Sequence, residues 1–251
     1  MDPEHDHPEP GIAAGPLLDM DTYRAIEWVR YDARTTFFTY ALQYLNWECV
    51  EGDLLEFGVS VGKSLALIAL LYRENLALWQ YTEPACTQRR LGGFDSFTGL
   101  PTGEHPHPRW KAGSFATNYL AGHPSLTLNQ KITPDAIHRL FDACGLTRAE
   151  IEEGWFADTI PRTINKKYRK VALLHIDSDL YESALCVLEG VAPALSDGAL
   201  VCFDDWFMYA GDPNQGESHA LKEFLEKHPE WQAIQYQTYS VFCNSFIFRR
   251  K

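Results

Sequence analysis

The residues of this chain best suited to chemistry are acidic and stand where apolar runs stop. Leu54-Leu55-Glu56-Phe57 runs into Gly58-Val59-Ser60-Val61-Gly62-Lys63-Ser64, and a helical pattern follows directly. Two glycines let a ligand approach the backbone closely, and free N–H groups at the start of the next helix favour a nucleotide-like ligand there. A second carboxylate, Asp95 in Gly93-Phe94-Asp95-Ser96-Phe97, is of the type that accepts hydrogen bonds from both ribose hydroxyls of an adenosine. Each feature alone also fits a plain strand-to-helix turn or a helix cap.

Three more carboxylates follow the same rule. Asp177 comes after Leu173-Leu174-His175-Ile176, and the pair Asp204-Asp205 comes after Leu200-Val201-Cys202-Phe203. If these two strands are neighbours, the three groups meet at one rim and repel each other, and a hard divalent cation such as Mg²⁺ neutralises them. Such a cation holds a substrate hydroxyl and lowers its pKa. Helix capping is the competing explanation.

Two other nucleotide motifs fail on spacing. The phosphate-binding loop G-x-x-x-x-G-K-[ST] needs four residues between its glycines, and only Val59, Ser60 and Val61 separate Gly58 from Gly62. Ser60 stands where the dinucleotide pattern G-x-G-x-x-G needs its second glycine.

The elements that must position these groups follow from periodicity. Between Thr22 and Leu45, Ile26, Trp28, Val29, Phe37, Phe38, Ala41, Leu42 and Leu45 recur at helical spacing and predict two helices. A strand at Leu54–Val59 leads to a helix at Ser64–Tyr72. The same alternation returns at Val171–Ile176 with a helix over Tyr181–Leu195, and at Ala199–Phe203 with a helix over Ala220–Lys227. Such repetition predicts a parallel sheet. Ala233–Tyr236 and Ser245–Arg249 then read as two final strands at an edge, where an antiparallel partner is common. The segment Gly103–Pro124, with His105, His107 and Trp110, reads as a long loop, either a lid or disordered.

Composition narrows the function. A chain of 251 residues with 45% hydrophobic content buries a sizeable core. Residues 1–16 hold four prolines and no apolar run, and are expected to form a disordered tail; 17–50 form a helical cap and 51–251 the binding domain. The net charge of -12 opposes nucleic acid and anionic membranes and favours a small-molecule substrate. No secretory signal or span-length apolar run is present, so a cytoplasmic location is expected. The six cysteines form no C-x-x-C pair and read mostly as small buried hydrophobes.

Read together, longer motifs carry a family resemblance. Gly93-Phe94-Asp95-Ser96-Phe97-Thr98-Gly99-Leu100-Pro101, Gly154-Trp155-Phe156-Ala157-Asp158-Thr159-Ile160-Pro161, His175-Ile176-Asp177-Ser178-Asp179-Leu180-Tyr181-Glu182-Ser183, the run Leu195–Trp206 and Ala220-Leu221-Lys222-Glu223-Phe224 resemble the macrocin O-methyltransferase family. The likeness extends over roughly Gly52 to Phe224. It implies a class I methyltransferase fold: an α/β, Rossmann-like, mostly parallel sheet with helices on both faces and an antiparallel edge strand, here preceded by the N-terminal helices. It also implies S-adenosylmethionine as donor, a divalent metal (Mg²⁺, or Mn²⁺ in its place), and hydroxyl acceptors on deoxysugars of macrolides. Matched to this sequence, cofactor contacts fall on Glu56, Gly58 and Asp95, and the neighbouring Val59, Gly62, Ser64 and Ser96 are further cofactor-binding candidates. Metal contacts fall on Asp177, Asp204 and Asp205.

Departures from the family pattern bear on the acceptor and the base. Ser196-Asp197-Gly198-Ala199 replaces an approach resembling Pro-Gly-Gly, and Val59-Ser60-Val61 is not a typical first loop. Catechol-type relatives carry a lysine three residues after the first metal ligand; here that position is Leu180. Proton removal therefore falls to Asp177, the favoured group, to Asp179, or to a nearby histidine such as His219. His219 and Glu217 also fit as helix-start residues. Trp155, Trp206, Phe207 and Tyr209 are candidates to line an acceptor pocket.

The expectation is an in-line methyl transfer to a hydroxyl of a small molecule, with a natural-product deoxysugar as the leading class. Phenolic or peptide acceptors, and a non-catalytic binding protein on the same fold, are the alternatives. The N-terminal helices are also candidates to pair two subunits.

Overall fold

In the computed structural model, residues 18–78, 87–102, 107–108 and 110–251 are described. The expected tail, His105 and Cys86 lie outside them. Helices α1 (Met20–Arg30) and α2 (Thr35–Trp47) come first, as their periodicity predicts. Asp19 starts α1 by accepting from the N–H groups of Asp21 and Thr22.

The sheet has seven strands: β1 (Asp53–Phe57), β2 (Leu91–Asp95), β3 (Glu150–Glu153), β4 (Val171–Ile176), β5 (Leu195–Phe203), β6 (Trp231–Tyr239) and β7 (Cys243–Arg250). Their spatial order is β3-β2-β1-β4-β5-β7-β6. The five strands from β3 to β5 pair in parallel, and β7 runs antiparallel between β5 and β6. Every residue of β1 and β4 is buried, which explains why their sequences are near-continuous apolar runs rather than alternating ones.

Helices cover both faces. Leu173 points to a core shared with Phe38, Leu42, Leu65, Ile68 and Phe141, which brings α1, α2, α3 (Lys63–Leu78) and α4 (Pro134–Ala143) to one face. Leu174 points to the other, against Val187, Leu188 and Phe224, where α5 (Phe156–Thr163), α6 (Tyr181–Val191) and α7 (Gly216–Lys227) pack. Strand order reverses between β1 and β4, so their carboxyl ends open a crevice at the sheet's switch point.

Some boundaries differ from expectation. The helix predicted over Tyr181–Leu195 stops at Val191, because Pro193 lacks the N–H a further turn needs, and β5 begins at Leu195 rather than Ala199. β3, α4 and α5 were not legible as elements. β3 is a partly exposed edge strand with three glutamates, and α5 carries Pro161 inside it. For α4 a signal existed, since Thr133 caps the helix and Pro134 opens it.

Cys144, Cys202 and Cys243 are free and buried, as expected, whereas Cys186 is only partly buried and Cys49 is disulfide-bonded. Among the described residues no helix is long and apolar enough to cross a membrane.

Candidate active site

A cavity of about 670 Å³ opens over the carboxyl ends of β1, β2, β4 and β5. Gly58, Ser60, Asp95 and Ser96 form one part of its wall, and Asp177, Asp179, Asp204 and Asp205 another. The glycine loop and the three-carboxylate rim predicted from separate stretches of sequence thus meet in one space.

The loop after β1 is tied down from three sides. A Cβ on Gly58 would lie 1.7 Å from the carbonyl oxygen of Asp177, so only glycine lets the ends of β1 and β4 come this close. Ser60 takes a left-handed conformation (φ 44°), and its N–H donates to Asp95 Oδ2 at 2.7 Å. Phe97 N–H donates to Asp95 Oδ1, also at 2.7 Å. Burial pushes the Asp95 carboxyl up despite these donors. Each of its oxygens keeps a second lone pair, so a ribose remains within its accepting capacity. From the predicted lid segment, buried His123 accepts from Ser125 N–H at Nδ1, so Nε2 carries the proton it donates to Val61 O at 2.9 Å.

The acidic rim is balanced by two cations that sequence reasoning missed. His175 is fully buried in β4, with Nδ1 2.9 Å from Glu56 Oε1 and Nε2 3.4 Å from Asp204 Oδ1. Burial alone would lower its pKa, but the two carboxylates outweigh that and push it up to about 10. Arg34, just before α2, places Nη1 3.1 Å from Asp204 Oδ1 and 3.4 Å from Asp177 Oδ2. Against the burial cost, Arg34 and His175 hold the Asp204 carboxyl below the usual carboxylate range.

The remaining carboxylates are pushed the other way. Burial and then the neighbouring charges of Asp204 and Asp205 raise Asp177. Asp179, in a left-handed conformation (φ 61°), is pushed up to about 8 by burial and then by Asp177 and Asp204. Glu217 is buried at the start of α7, where Oε2 accepts from Asp205 N–H at 2.9 Å. Among the described residues, buried Asp205 Oδ2 and Glu217 Oε1 have no hydrogen-bond partner. Unused oxygen donors in an acidic cluster fit a hard divalent cation. Among the described residues, the grouping whose ligand atoms all lie within 4.8 Å of one another is Glu56, His175 and Asp177 rather than the three aspartates, but both nitrogens of His175 already face carboxylates.

Several predicted residues lie elsewhere. Glu56 is buried against His175, and Val59, Gly62 and Ser64 sit behind the loop rather than on the cavity wall. A Cβ on Gly62 would meet Ile137, so this glycine serves packing against α4. His219 stacks on Tyr181, with ring centroids 4.6 Å apart, away from the cavity, because α7 turns that face outward. Of the four aromatic candidates, Trp155 lines the cavity, joined by Tyr31, Phe115, Tyr119 and Phe156. Trp206 packs against Phe203 and Phe246, while Phe207 and Tyr209 stand off the wall.

This strand order, with a glycine loop at the switch point and carboxylates along the rim, defines the class I methyltransferase type of α/β fold. Residues 30–231 match the family model of the macrocin O-methyltransferases, TylF, and the chain belongs to that family. A Streptomyces olivaceus relative, 8-demethyl-8-(2,3-dimethoxy-alpha-L-rhamnosyl)-tetracenomycin-C 4'-O-methyltransferase, is 29% identical over 170 residues. The match covers 66% of this chain and 58% of that relative, so it spans well under two thirds of the relative's length. Among solved structures, the O-methyltransferase NovP superposes with a TM-score of 0.63 at 23% identity, covering 87% of this chain and 80% of that one. The calicheamicin methyltransferase CalS11 superposes at 0.61 with 24% identity, covering 90% and 91%. Likeness at these identities bears on the fold.

Proposed function

We propose that this chain moves the methyl group of S-adenosylmethionine to a hydroxyl of a natural-product sugar, with a divalent cation held at Asp177, Asp204 and Asp205. The observation that carries the reading is the continuity of one cavity from Asp95 and Ser60 to that carboxylate rim. A donor held at one end and an acceptor hydroxyl at the other lie within a single cavity, which favours in-line transfer through proximity. The sugar assignment draws on the relative named for a rhamnosyl 4'-O-methylation.

Each wall has a task. Asp95 accepts from the ribose of the donor, and the Ser60 turn fixes the loop beneath it. Trp155, Phe115 and Tyr119 offer flat apolar faces for the acceptor and limit water. A bound Mg²⁺ or Mn²⁺ supplies Lewis-acid polarisation of the acceptor hydroxyl. Asp177 and Asp179, the β4-loop carboxylates on the cavity wall, are the proposed acceptors of its proton.

The test is a side-by-side incubation with S-adenosylmethionine and deoxysugar glycosides, phenols and peptides, read by mass spectrometry with and without EDTA. Methylated glycosides whose formation stops with EDTA and returns with Mg²⁺ support the reading. Turnover confined to phenols or peptides overturns the sugar assignment, and turnover indifferent to EDTA overturns the metal.

A further inference from the structure

Arg34 belongs to no motif, yet its side chain is 15% exposed and reaches the centre of the carboxylate rim. Its guanidinium is shared between two sets of partners. Nε and Nη2 clamp Asp32 at 2.9 and 3.0 Å, while Nη1 faces Asp204 and Asp177 at 3.1 and 3.4 Å. Asp32 is held in turn by the Arg34 N–H, which donates to its Oδ1 at 2.9 Å. Tyr31, Asp32, Ala33 and Arg34, the link between α1 and α2, all line the cavity.

We infer that Arg34 is a built-in competitor for the cation site: its Nη1 neutralises Asp177 and Asp204 in the metal-free protein and must give them up when a divalent cation binds. The inference rests on the metal reading above. Two cations sharing the same two carboxylates repel each other strongly in a partly buried site, so both do not hold full contact at once. The fork geometry gives Arg34 an alternative, because the bidentate bond to Asp32 holds the guanidinium after Nη1 lets go. Cation binding is thereby coupled to the link between α1 and α2, which forms one wall over the acceptor space.

The consequence is a site weaker for metal than its carboxylates alone would make it. Mn²⁺ binding to the full chain, followed by electron paramagnetic resonance and calorimetry without substrate, measures this directly. Arg34→Gln is expected to tighten Mn²⁺ binding by at least about tenfold, the size of an ordinary coupling between two ligands. Lys63→Gln is the control for charge alone: Lys63 Nζ donates to Tyr31 O in the same link but touches none of the carboxylates, so its removal should shift affinity by less than about threefold. Equal Mn²⁺ affinity in wild type and Arg34→Gln, or an equal gain in Lys63→Gln, overturns the competition. If Arg34→Gln does not fold, Arg34→Met, which removes the charge but keeps the apolar stem, must bind Mn²⁺ more tightly than wild type, and unchanged binding overturns the inference. Absence of Mn²⁺ binding in wild type and in every folded variant overturns the metal reading itself.

Discussion

Glu56 and His175 face each other in register on adjacent parallel strands, and Glu56 Oε1 lies 2.9 Å from His175 Nδ1 with both side chains fully buried. This pair makes Glu56 a partner of the site's internal cation rather than a wall of the cavity. Through its other nitrogen, His175 reaches Asp204, so the pair links the end of β1 to the end of β5 across β4.

Glu56→Gln should therefore act on stability first. It leaves a buried imidazolium with Asp204 as its remaining carboxylate, and the loss is expected near the low end for a broken buried pair, about 3 kcal/mol. Urea denaturation checks it. A variant with unchanged stability but weakened binding of S-adenosylhomocysteine would return Glu56 to the cofactor.

The two loop glycines should separate in the same assay. Gly58→Ala drives a Cβ into the Asp177 backbone at φ +99°, and backbone cannot yield, so the loss should be at least about 3 kcal/mol. Gly62→Ala also sits at a positive φ (+78°) but meets only side-chain carbons of Ile137, at 3.0 and 3.1 Å, which can give slightly, so a smaller loss of about 1–2 kcal/mol is expected. Thermal unfolding of the two variants should show that order.

Asp95→Ala removes the acceptor for Ser60 and Phe97 and the proposed ribose contact together. S-adenosylhomocysteine binding should weaken at least tenfold, or about 1.4 kcal/mol, by calorimetry. Unchanged affinity in a folded variant would reduce Asp95 to a loop brace.

His228 offers a pH test far from the chemistry. It caps α7, and Glu189 and then Glu230 raise its pKa from contacts at 2.7 and 3.1 Å. A raised folded value gives stability that is full below the ordinary histidine range and is lost as pH rises through the folded value. His228→Gln should thus cost more at pH 6 than at pH 9, by under about 1 kcal/mol, measured by urea melts at both.

What the sequence showed and what it hid follow from one physical distinction. Strand ends carrying Asp95, Asp177, Asp204 and Asp205 were legible because apolar runs stop abruptly there. The pairing of Glu56 with His175 was not, although each is an ionisable residue inside an apolar strand, because only the register of β1 against β4 puts them side by side. Two such interruptions were a usable signal, since buried charges are paired. Arg34 gave less: an arginine between two helices reads as solvated, and its partners on the rim lie 143 and 170 residues away. His219 stands off the cavity wall, and position at a helix start says nothing about which face meets the cavity.

Two members of the rim should act against each other. Asp177 and Asp204 are both expected metal contacts, so Asp177→Asn and Asp204→Asn should each weaken Mn²⁺ binding and methyl transfer. Their effects on the metal-free protein should have opposite signs. Asp177 is raised by burial and by repulsion from Asp204 and Asp205, so neutralising it relieves strain. Asp204 is the common counter-charge of Arg34 and His175 and also accepts from Cys243 Sγ at 3.3 Å. Asp204→Asn leaves two buried cations short of a partner, and a loss of about 3–5 kcal/mol is expected. Urea denaturation in EDTA at pH 7 should show Asp177→Asn at or above wild type and Asp204→Asn well below it. Equal losses in the two variants would mean that Arg34 and His175 do not depend on Asp204, and that the rim is held together by hydrogen-bond geometry rather than by charge.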